Sequence, residues 1–302
     1  MKKAIKLLFL IFVLFSFEKI SAQVTDLARI EYTYFPQRQS DNSFRRFRTF
    51  FNYPIELKTE GSYLVPGIEY RNVNFKYEDP EPFKTAKLDR FQSFTATLAY
   101  TFEMKDDWRF GVQTGIKIAS NFSRSDIIND DLIYEGAIFF IKVKDDEQVD
   151  KPWRFILGVN YSTTRGYPFP LPVINYFREF SPDWSFALGV PKSNLRYSIS
   201  KRSTLQAFVT LDGFFANVQD NFDVTPMNNN SLDATAENIS MTILLSGLGY
   251  EYNFTEHFSF YVYAGYTLIN DIRFRDGNQD DVLTINDTNT FYSRGGLKFS
   301  IL

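Results

Sequence analysis

Apolar and polar residues alternate with a period of two along most of this chain. In residues 94–102, Phe94, Leu98 and Phe102 belong to one apolar face, while threonines dominate the other face. Such alternation is typical of a β-strand whose two faces meet different surroundings. Segments of this kind predict fourteen strands, near residues 25–36, 45–57, 63–78, 90–104, 107–120, 131–144, 152–165, 171–181, 183–191, 193–201, 203–216, 237–252, 256–272 and 289–302.

The connections between these segments alternate in length. Every second connection, counted from the N-terminus, is short, as at 105–106 and 201–202, whereas most others are longer and more polar, as at 217–236 and 273–288. Short periplasmic turns and long extracellular loops are typical of outer-membrane barrels. The sequence therefore predicts an all-β fold, a transmembrane antiparallel β-barrel of about fourteen strands. Prolines in the stretch 168–191 leave twelve strands as the alternative, because proline belongs at strand starts, edges and bulges.

Aromatic residues recur at the first and third positions after four short polar turns. The pairs are Trp108 and Phe110, Trp153 and Phe155, Trp184 and Phe186, and Phe258 and Phe260. Residues two apart lie on the same face of a strand, so each pair places two rings on one face at a similar height. We predict that these rings form part of an aromatic girdle at the membrane–water boundary.

The N-terminus has the pattern of a secretory signal peptide. Three lysines among the first six residues precede an apolar run at 7–17, and small residues follow at 21–22. That run is shorter than the roughly 20 residues that a membrane-spanning helix needs. We therefore expect residues 1–22 to be a signal peptide and residues 23–302 to form the barrel, in the outer membrane of a Gram-negative bacterium.

The composition agrees with a barrel that has one apolar and one polar face. The chain contains 33 phenylalanines and 18 tyrosines, yet its mean hydropathy of −0.25 is that of a soluble protein. Alternate residues that face lipid and a polar lumen give such an average, and a secreted β-sandwich is the alternative. The net charge of −3 argues against a nucleic-acid partner, and the absence of cysteine excludes disulfides and thiolate metal sites.

The last segment, 294–301, fits the pattern polar–x–Gly–x–x–aromatic–x–hydrophobic. Gly296, Phe299 and Ile301 occupy its glycine, aromatic and final apolar positions. The pattern resembles the signal that the barrel-assembly machinery reads at the end of bacterial outer-membrane proteins. The resemblance implies that machinery and outer-membrane lipid as partners. The last strand must also pair with the first, since pairing removes both edges of the sheet.

The Pro-rich sequences GYPFPLPVINY at 166–176 and FALGVP at 186–191 carry a further likeness. They resemble a family of outer-membrane β-barrel proteins of unknown function. The resemblance extends through most of the mature chain and is sharpest over these two stretches. It implies a barrel fold and an outer-membrane location, and it implies no activity and no site residues.

The chain is poor in histidine and cysteine, which often serve as catalytic base and nucleophile, and this argues against catalysis. The only histidine, His257, lies in a predicted periplasmic turn, and the chain has no cysteine. An acyl-transfer triad needs its nucleophile, base and orienting residue in contact, and no carboxylate pair has a convincing spacing. We expect no enzyme activity, no catalytic residues and no cofactor.

One loop has the spacing of an EF-hand calcium site. Asp276, Asn278 and Asp280 occupy alternate positions, and Asp287 is twelfth counted from Asp276. The sixth position holds Asp281 where the motif requires glycine, and no flanking helices are predicted. A weak calcium site is one hypothesis, and a hydrophilic extracellular loop is the other.

The alternation of inward and outward residues along each strand predicts that a set of charged side chains faces the lumen. An arginine or lysine that faced lipid at mid-membrane would cost about 2–4 kcal/mol, which enforces this orientation. The predicted lumen-facing residues are Glu31, Arg46, Arg48, Glu69, Arg71, Arg154, Arg294 and Lys298. Because most of them are basic, a narrow passage among them would favour anions.

Three functions fit these observations. The favoured one is a narrow pore or passive uptake channel for small solutes. A plugged barrel with a structural or surface-interaction role is the alternative, and a lipid-modifying barrel enzyme is the third. Electrical conductance in a planar bilayer separates the first function from the other two.

Overall fold

The computed structural model describes residues 25–38, 40–79, 85–144, 151–163, 170–224 and 234–301. The predicted signal peptide at residues 1–22 lies outside them. Within the described ranges, no helix is long and apolar enough to span a membrane. The secondary structure there is β-sheet, with one 3₁₀ turn at Asn129–Asp131.

Sixteen strands follow one another along the described chain. They are β1 (Thr25–Pro36), β2 (Ser43–Asn52), β3 (Ile55–Glu56), β4 (Tyr63–Lys76), β5 (Arg90–Glu103), β6 (Trp108–Ser120), β7 (Leu132–Lys144), β8 (Trp153–Ser162), β9 (Leu171–Ser181), β10 (Trp184–Val190), β11 (Lys192–Ser200), β12 (Ser203–Val224), β13 (Ala234–Asn253), β14 (Phe258–Arg275), β15 (Asp281–Asn286) and β16 (Phe291–Ile301). The predicted strand 45–57 is split into β2 and β3 around Pro54, because proline has no amide N–H to donate to a neighbouring strand.

Fourteen of these strands close into an antiparallel barrel, as the sequence predicts, and the alternative of twelve is excluded. Each wall strand pairs with its neighbours in chain order, and β1 pairs with β16 to complete the ring. The short strands β3 and β15 add to β4 and β14 without belonging to the ring. Closure leaves no sheet edge along the wall, which a barrel in lipid requires.

The outer surface of the wall is apolar. Large side chains such as Ile68, Leu98, Ile116, Leu188 and Leu248 are strongly exposed and alternate with inward-facing neighbours. A soluble protein rarely exposes a continuous apolar surface of this extent. The wall is therefore that of a transmembrane barrel, whose outward residues face lipid.

The wall has very unequal heights. β12 and β13 contain 22 and 20 residues, whereas β10 and β11 contain 7 and 9. Because β11 begins at Lys192, opposite Thr210, the rest of β12 rises above its neighbour. We call the outer parts of β12, β13 and β14 beyond Thr210, Leu245 and Tyr266, together with β15, the extension.

The extension corrects two sequence predictions. Residues 217–236 and 273–288 are not simply long loops, because β12, β13 and β14 continue into them and β15 forms within the second. Residues 225–233 lie outside the described ranges. The described part is ordered as sheet because its apolar residues are buried, including Val218 and Phe274. The many polar residues between them obscure the period-two pattern in the sequence.

Buried apolar side chains fill the outer mouth of the barrel, and we call this cluster the apolar plug. Its wall members include Phe35, Phe44, Val73 and Phe91, and its extension members include Val218, Ile239, Ile272 and Phe274. Phe35 and Phe44 stack with ring centroids 4.2 Å apart at the outer ends of β1 and β2. Each fully buried side chain of this size contributes about 1.5–3 kcal/mol, so the extension is held firmly over the mouth.

A polar cluster fastens the extension to the opposite wall, and we call it the latch. The buried Asp131 accepts hydrogen bonds from Asn217 Nδ2 at 2.8 Å and Gln219 Nε2 at 2.6 Å. The amide of Gln219 donates to Asn121 Oδ1 at 2.9 Å, and Asn217 pairs with Ser120 of β6. β12 thus crosses the mouth and ends against β6.

Candidate functional site

The lumen beneath the plug contains a four-residue charge cluster. Arg46 of β2 donates to both carboxylate oxygens of Asp212 on β12, at 2.7 and 2.6 Å. Arg294 of β16 donates to Asp212 Oδ2 at 2.7 Å. Glu31 of β1 lies 3.7 Å from both guanidinium groups and accepts a hydrogen bond from Tyr261 at 2.7 Å. Two arginines and two carboxylates thus compensate one another here.

A second cluster on the neighbouring strands is not balanced in this way. Arg48 donates to Glu69 Oε2 from Nε and Nη2, at 2.9 and 2.6 Å. Arg71 donates to Glu69 Oε1 at 2.5 Å and to the carbonyl of Gly213 at 3.3 Å. Two guanidinium groups therefore share one carboxylate. Both arginine side chains remain about a quarter exposed, at 27% and 22%.

A third cluster lies nearer the periplasmic end and centres on Glu251. Its carboxylate contacts Arg196 at 3.1 Å and Lys298 at 2.9 Å, and it accepts hydrogen bonds from Tyr263 and Gln206. Tyr263 and Gln206 reach it across 2.6 and 2.9 Å. These contacts join β11, β12, β13, β14 and β16 across the inside of the wall.

Two further basic side chains point inward without a carboxylate partner among the described residues. Arg154 of β8 lies over the ring of Phe177, with 5.7 Å between its guanidinium carbon and the ring centroid. Lys192 of β11 donates to Gln206 at 3.2 Å, and its ammonium lies 5.5 Å from the ring centroid of Phe208. Aromatic faces stabilise such cations electrostatically.

One cavity of about 1410 Å³ runs along the lumen. Tyr63 and Arg109 line its periplasmic end, whereas Thr242 and Arg273 of the extension line its outer end. Threonines on β5 form much of the wall between these ends. Basic lining residues outnumber acidic ones; the basic ones are Arg29, Arg48, Arg71, Arg109, Lys117, Lys192, Arg273, Arg275 and Arg294, and the acidic ones are Glu69, Glu135 and Asp212.

The structure brings seven of the eight predicted lumen residues into these three clusters, and Arg154 lies apart from them. Asp212, Glu251 and Lys192 were missed by the sequence analysis. The alternation of β12 and β13 could have placed Asp212 and Glu251 inward, next to Phe208 and Gly249 on the same faces. No sequence signal shows that Arg46 and Asp212 meet across the lumen.

The aromatic pairs predicted from the sequence begin four strands. β6, β8, β10 and β14 start at Trp108, Trp153, Trp184 and Phe258. Their outward rings contact neighbouring rings on the lipid-facing side, including Phe110 with Phe140 at 5.3 Å and Trp184 with Tyr197 at 4.7 Å. Phe155 pairs with Tyr176, Phe186 lies 6.0 Å from Tyr176, and Phe260 pairs with Tyr252. Their role as a membrane girdle stays a prediction.

The terminal strand places its motif residues in different surroundings. Phe299 faces outward opposite Phe258, and Ile301 ends β16 in register with Thr25. Gly296 faces the lumen, where an added Cβ would clash with the backbone carbonyl oxygen of Ile30 on β1 and would lie 2.7 Å from Tyr261 Oη. The ring of Tyr261 therefore covers Gly296, so this glycine has a packing reason as well as a place in the motif.

The predicted calcium ligands are not brought together. Asp276 accepts hydrogen bonds from the amides of Asn278 and Asp280, both at 2.9 Å, and so closes a tight turn. β15 lies between this turn and Asp287, and a strand of its 6 residues spans about 20 Å. No group of three or more acidic, histidine or cysteine side chains suited to a metal ion occurs among the described residues. β15 therefore separates Asp287 from the other three residues of the EF-hand spacing.

His257 lies in the turn between β13 and β14, at the periplasmic end. Its Nδ1 is 3.1 Å from the backbone carbonyl oxygen of Ser300. The ring also lies 6.0 Å from the ring of Phe299. These contacts join the turn to the terminal strand.

Several solved structures resemble this barrel at low similarity. An outer membrane channel from Pseudomonas putida F1 has 9% identity and a TM-score of 0.43, covering 95% of this chain and 98% of its own. LpxR from Salmonella typhimurium has 9% identity and a TM-score of 0.39, covering 91% and 99%. The KdgM porin has 8% identity and a TM-score of 0.35, with the same two coverages.

No curated protein matches this chain. A family model matches it over residues 19–299, nearly its whole length. That match agrees with the resemblance seen in the Pro-rich stretches, and it includes every wall strand except the last two residues of β16. The chain therefore belongs to the family described as Domain of unknown function (DUF6268).

Proposed function

We propose that this protein is an outer-membrane channel of a Gram-negative bacterium, which admits small solutes passively and has no catalytic activity. The observation that carries the proposal is the cavity of about 1410 Å³, lined from Tyr63 at the periplasmic end to Arg273 on the extension. Phe214 and Met241 of the buried apolar cluster also line this cavity, so we infer a path that runs along the side of the plug. Solutes would enter between the extension and the low wall formed by β9, β10 and β11.

The absence of catalysis is part of this proposal. A hydrolytic base must reach the proton that it abstracts. The ring of His257 instead faces the backbone carbonyl of Ser300, at the periplasmic end. The lumen carboxylates Glu31, Glu69 and Glu251 are each bound to arginine or lysine, which favours an electrostatic role over a catalytic one.

Site-directed labelling tests the channel directly, because the chain contains no cysteine. Thr97→Cys places a thiol on the cavity lining, and Ala96→Cys places one on the outer face of the same strand. The purified variants would be reconstituted in planar bilayers and treated with a charged methanethiosulfonate reagent. We expect a small conductance in both, and a reduction on labelling of Thr97→Cys alone.

The plug supports a second candidate, a sealed barrel with a structural or surface-interaction role. Its buried aromatic residues and the latch close the straight path along the barrel axis. Conductance that stays at background in the wild type, together with no solute entry into liposomes, would contradict the channel and favour this candidate. If labelling reduced the conductance of both cysteine variants equally, the current would not flow specifically through the cavity.

A further inference from the structure

The unbalanced positive charge of Arg48 and Arg71 lies near an apolar surface formed by Val190, Pro191 and Leu211, which we call the rim. The two features together define a site. Arg48 and Arg71 both bind Glu69. Among the described residues, no acceptor contacts Arg48 Nη1 or Arg71 Nη2, so both guanidinium groups keep donors for a further anion. Both side chains line the cavity. A guanidinium group offers paired donors that match a carboxylate.

The apolar rim lies within a short distance of these donors. Arg71 contacts the carbonyl of Gly213, and the amide of Leu211 donates to the carbonyl of Pro191 at 2.8 Å. Gly213 and Leu211 are two residues apart on β12, which is about 7 Å along a strand. The same stretch of β12 therefore contacts the basic site and the top of the low wall.

The rim connects the cavity with the lipid-facing surface. Val190, Pro191 and Leu211 line the cavity, and Val190 and Leu211 are also exposed on the outer face, at 47% and 45%. β11 begins only at Lys192, opposite Thr210, so among the described residues no strand pairs with this edge of β12 between Leu211, which bonds to Pro191, and Asn217, which pairs with β6. An apolar group lying here would keep contact with lipid while a charged group reached Arg71.

We propose that this site binds an amphiphilic organic monoanion, with its carboxylate on Arg48 and Arg71 and its apolar body over Val190, Pro191 and Leu211. Glu69 already binds one edge of each guanidinium group, so the incoming carboxylate binds the remaining donors, Arg48 Nη1 and Arg71 Nη2, against the competing charge of Glu69. A purely hydrophilic anion gains nothing from the rim, and an apolar cation is repelled by the arginines. This inference rests on the proposed channel and names its class of solute.

Binding and transport are measured separately on the mature chain. The protein in lipid nanodiscs is titrated with carboxyl-labelled octanoate and followed by NMR, with empty nanodiscs as the correction for lipid partitioning. Acetate tests the anionic head alone, and octylammonium tests the apolar body with the opposite charge. We expect saturable octanoate binding, roughly tenfold weaker acetate binding and no saturable octylammonium binding.

Three variants make the test specific. The double variant R48Q/R71Q should weaken octanoate binding roughly tenfold or more, whereas E69Q should strengthen it by removing the internal competitor. The control K201Q/R202Q removes two basic residues from an exposed periplasmic turn and should leave binding unchanged. E69Q keeps the inference testable if the arginine double variant fails to fold.

The outcomes separate the inference from the proposed function. Equal affinity for acetate and octanoate, or octanoate binding that neither R48Q/R71Q nor E69Q alters, would overturn the amphiphile site. Octanoate binding without any solute flux into liposomes would support the site and contradict the channel. Flux of neutral solutes without octanoate binding would support the channel and contradict the site.

Discussion

Arg46 and Asp212 form a two-pronged ion pair across the lumen, with nitrogen–oxygen distances of 2.7 and 2.6 Å. Their strands, β2 and β12, are separated in the wall by β1, β16, β14 and β13. The pair therefore joins parts of the barrel that the sheet itself does not connect. Because Asp212 lies at the base of the extension, the contact also fixes the direction in which the extension leaves the wall.

Replacing Asp212 with asparagine should destabilise the barrel strongly. Arg46 and Arg294 would lose their shared carboxylate while only Glu31 remained nearby. Removing one partner of a buried charge pair costs about 3–5 kcal/mol. The measurement is the urea midpoint of unfolding in detergent micelles.

The matched control for this variant is Glu103→Gln. Glu103 binds Arg109 at 2.5 Å, but its side chain is 63% exposed at the periplasmic end. Exposed pairs contribute about 0–1 kcal/mol, so its midpoint should barely move. Equal effects of the two substitutions would contradict the proposed importance of the contact across the lumen.

Loss of the latch should loosen the extension. Asp131→Ala removes the acceptor for Asn217 and Gln219. The buried side-chain amide of Asn217 then loses its acceptor, whereas that of Gln219 keeps the backbone carbonyl of Asp126 at 3.1 Å. An unsatisfied buried group costs about 1–3 kcal/mol. We expect larger and noisier single-channel currents, because the mouth would open part of the time.

Asp223→Ala is the comparison for the latch. Asp223 accepts a hydrogen bond from Thr235 between the arms of the same hairpin, in an exposed position. Its removal should leave the currents unchanged. An unchanged current in Asp131→Ala would show that the apolar plug alone holds the extension in place.

The wall and the inward direction of most of its charged residues were predictable from sequence, but the pairing of those residues across the lumen was not. In strands such as β5, one face meets lipid along its whole length, so the alternation of Phe94 and Leu98 is uninterrupted. In the extension, the buried face packs against other protein, and residues such as Asn217 and Gln219 are polar because they form the latch. Parity identified Arg46 as inward, but its partner Asp212 depends on where distant strands meet.

The glycine of the terminal motif should matter for stability as well as assembly. In Gly296→Ala the new Cβ would clash with the backbone carbonyl oxygen of Ile30 on the paired strand β1, and with Tyr261, whose hydroxyl donates to the buried Glu31. We expect a lower urea midpoint, by an amount typical of a lost hydrogen bond to a charged group, about 1.5–3 kcal/mol. Gly295→Ala is the neighbouring control, since its Cβ would lie at an ordinary 3.6 Å from the Tyr261 carbonyl oxygen.

Two outcomes of this comparison would be informative. If Gly295→Ala lowers the midpoint as much as Gly296→Ala, the loss of a glycine in this strand, and not the close contacts of Gly296 with Ile30 and Tyr261, is responsible. If neither variant changes the midpoint, while both reduce the amount of protein in the outer membrane, both glycines act in assembly alone.

Phe299 should be required for insertion. The Phe299→Asp substitution places a carboxylate on the outward face beside Phe258 and removes the aromatic position of the terminal motif. We expect little folded protein in the outer membrane, measured by fractionation and by the altered gel migration of unheated samples. Phe299→Leu keeps an apolar side chain and separates the two causes, because it should fold in vitro even if cellular assembly is slowed. Normal accumulation of Phe299→Asp would contradict the predicted signal.

Arg46 and Arg48 should differ in their effect on ion selectivity, although they are neighbours on one strand face. The charge of Arg46 is matched by Asp212 within a buried cluster, whereas Arg48 shares Glu69 with Arg71 and remains partly exposed to the cavity. Charge that is compensated at contact distance projects little field into a passage, and uncompensated charge attracts counter-ions.

Arg48→Gln should therefore reduce the anion preference of the reconstituted channel without altering its urea midpoint greatly. Arg46→Gln should lower the midpoint, because Asp212 would keep only one cationic donor, Arg294, besides the backbone amide of Gly213. Reversal potentials in a salt gradient measure the first effect, and an identical shift in both variants would show that the two arginines act on the passage as one group.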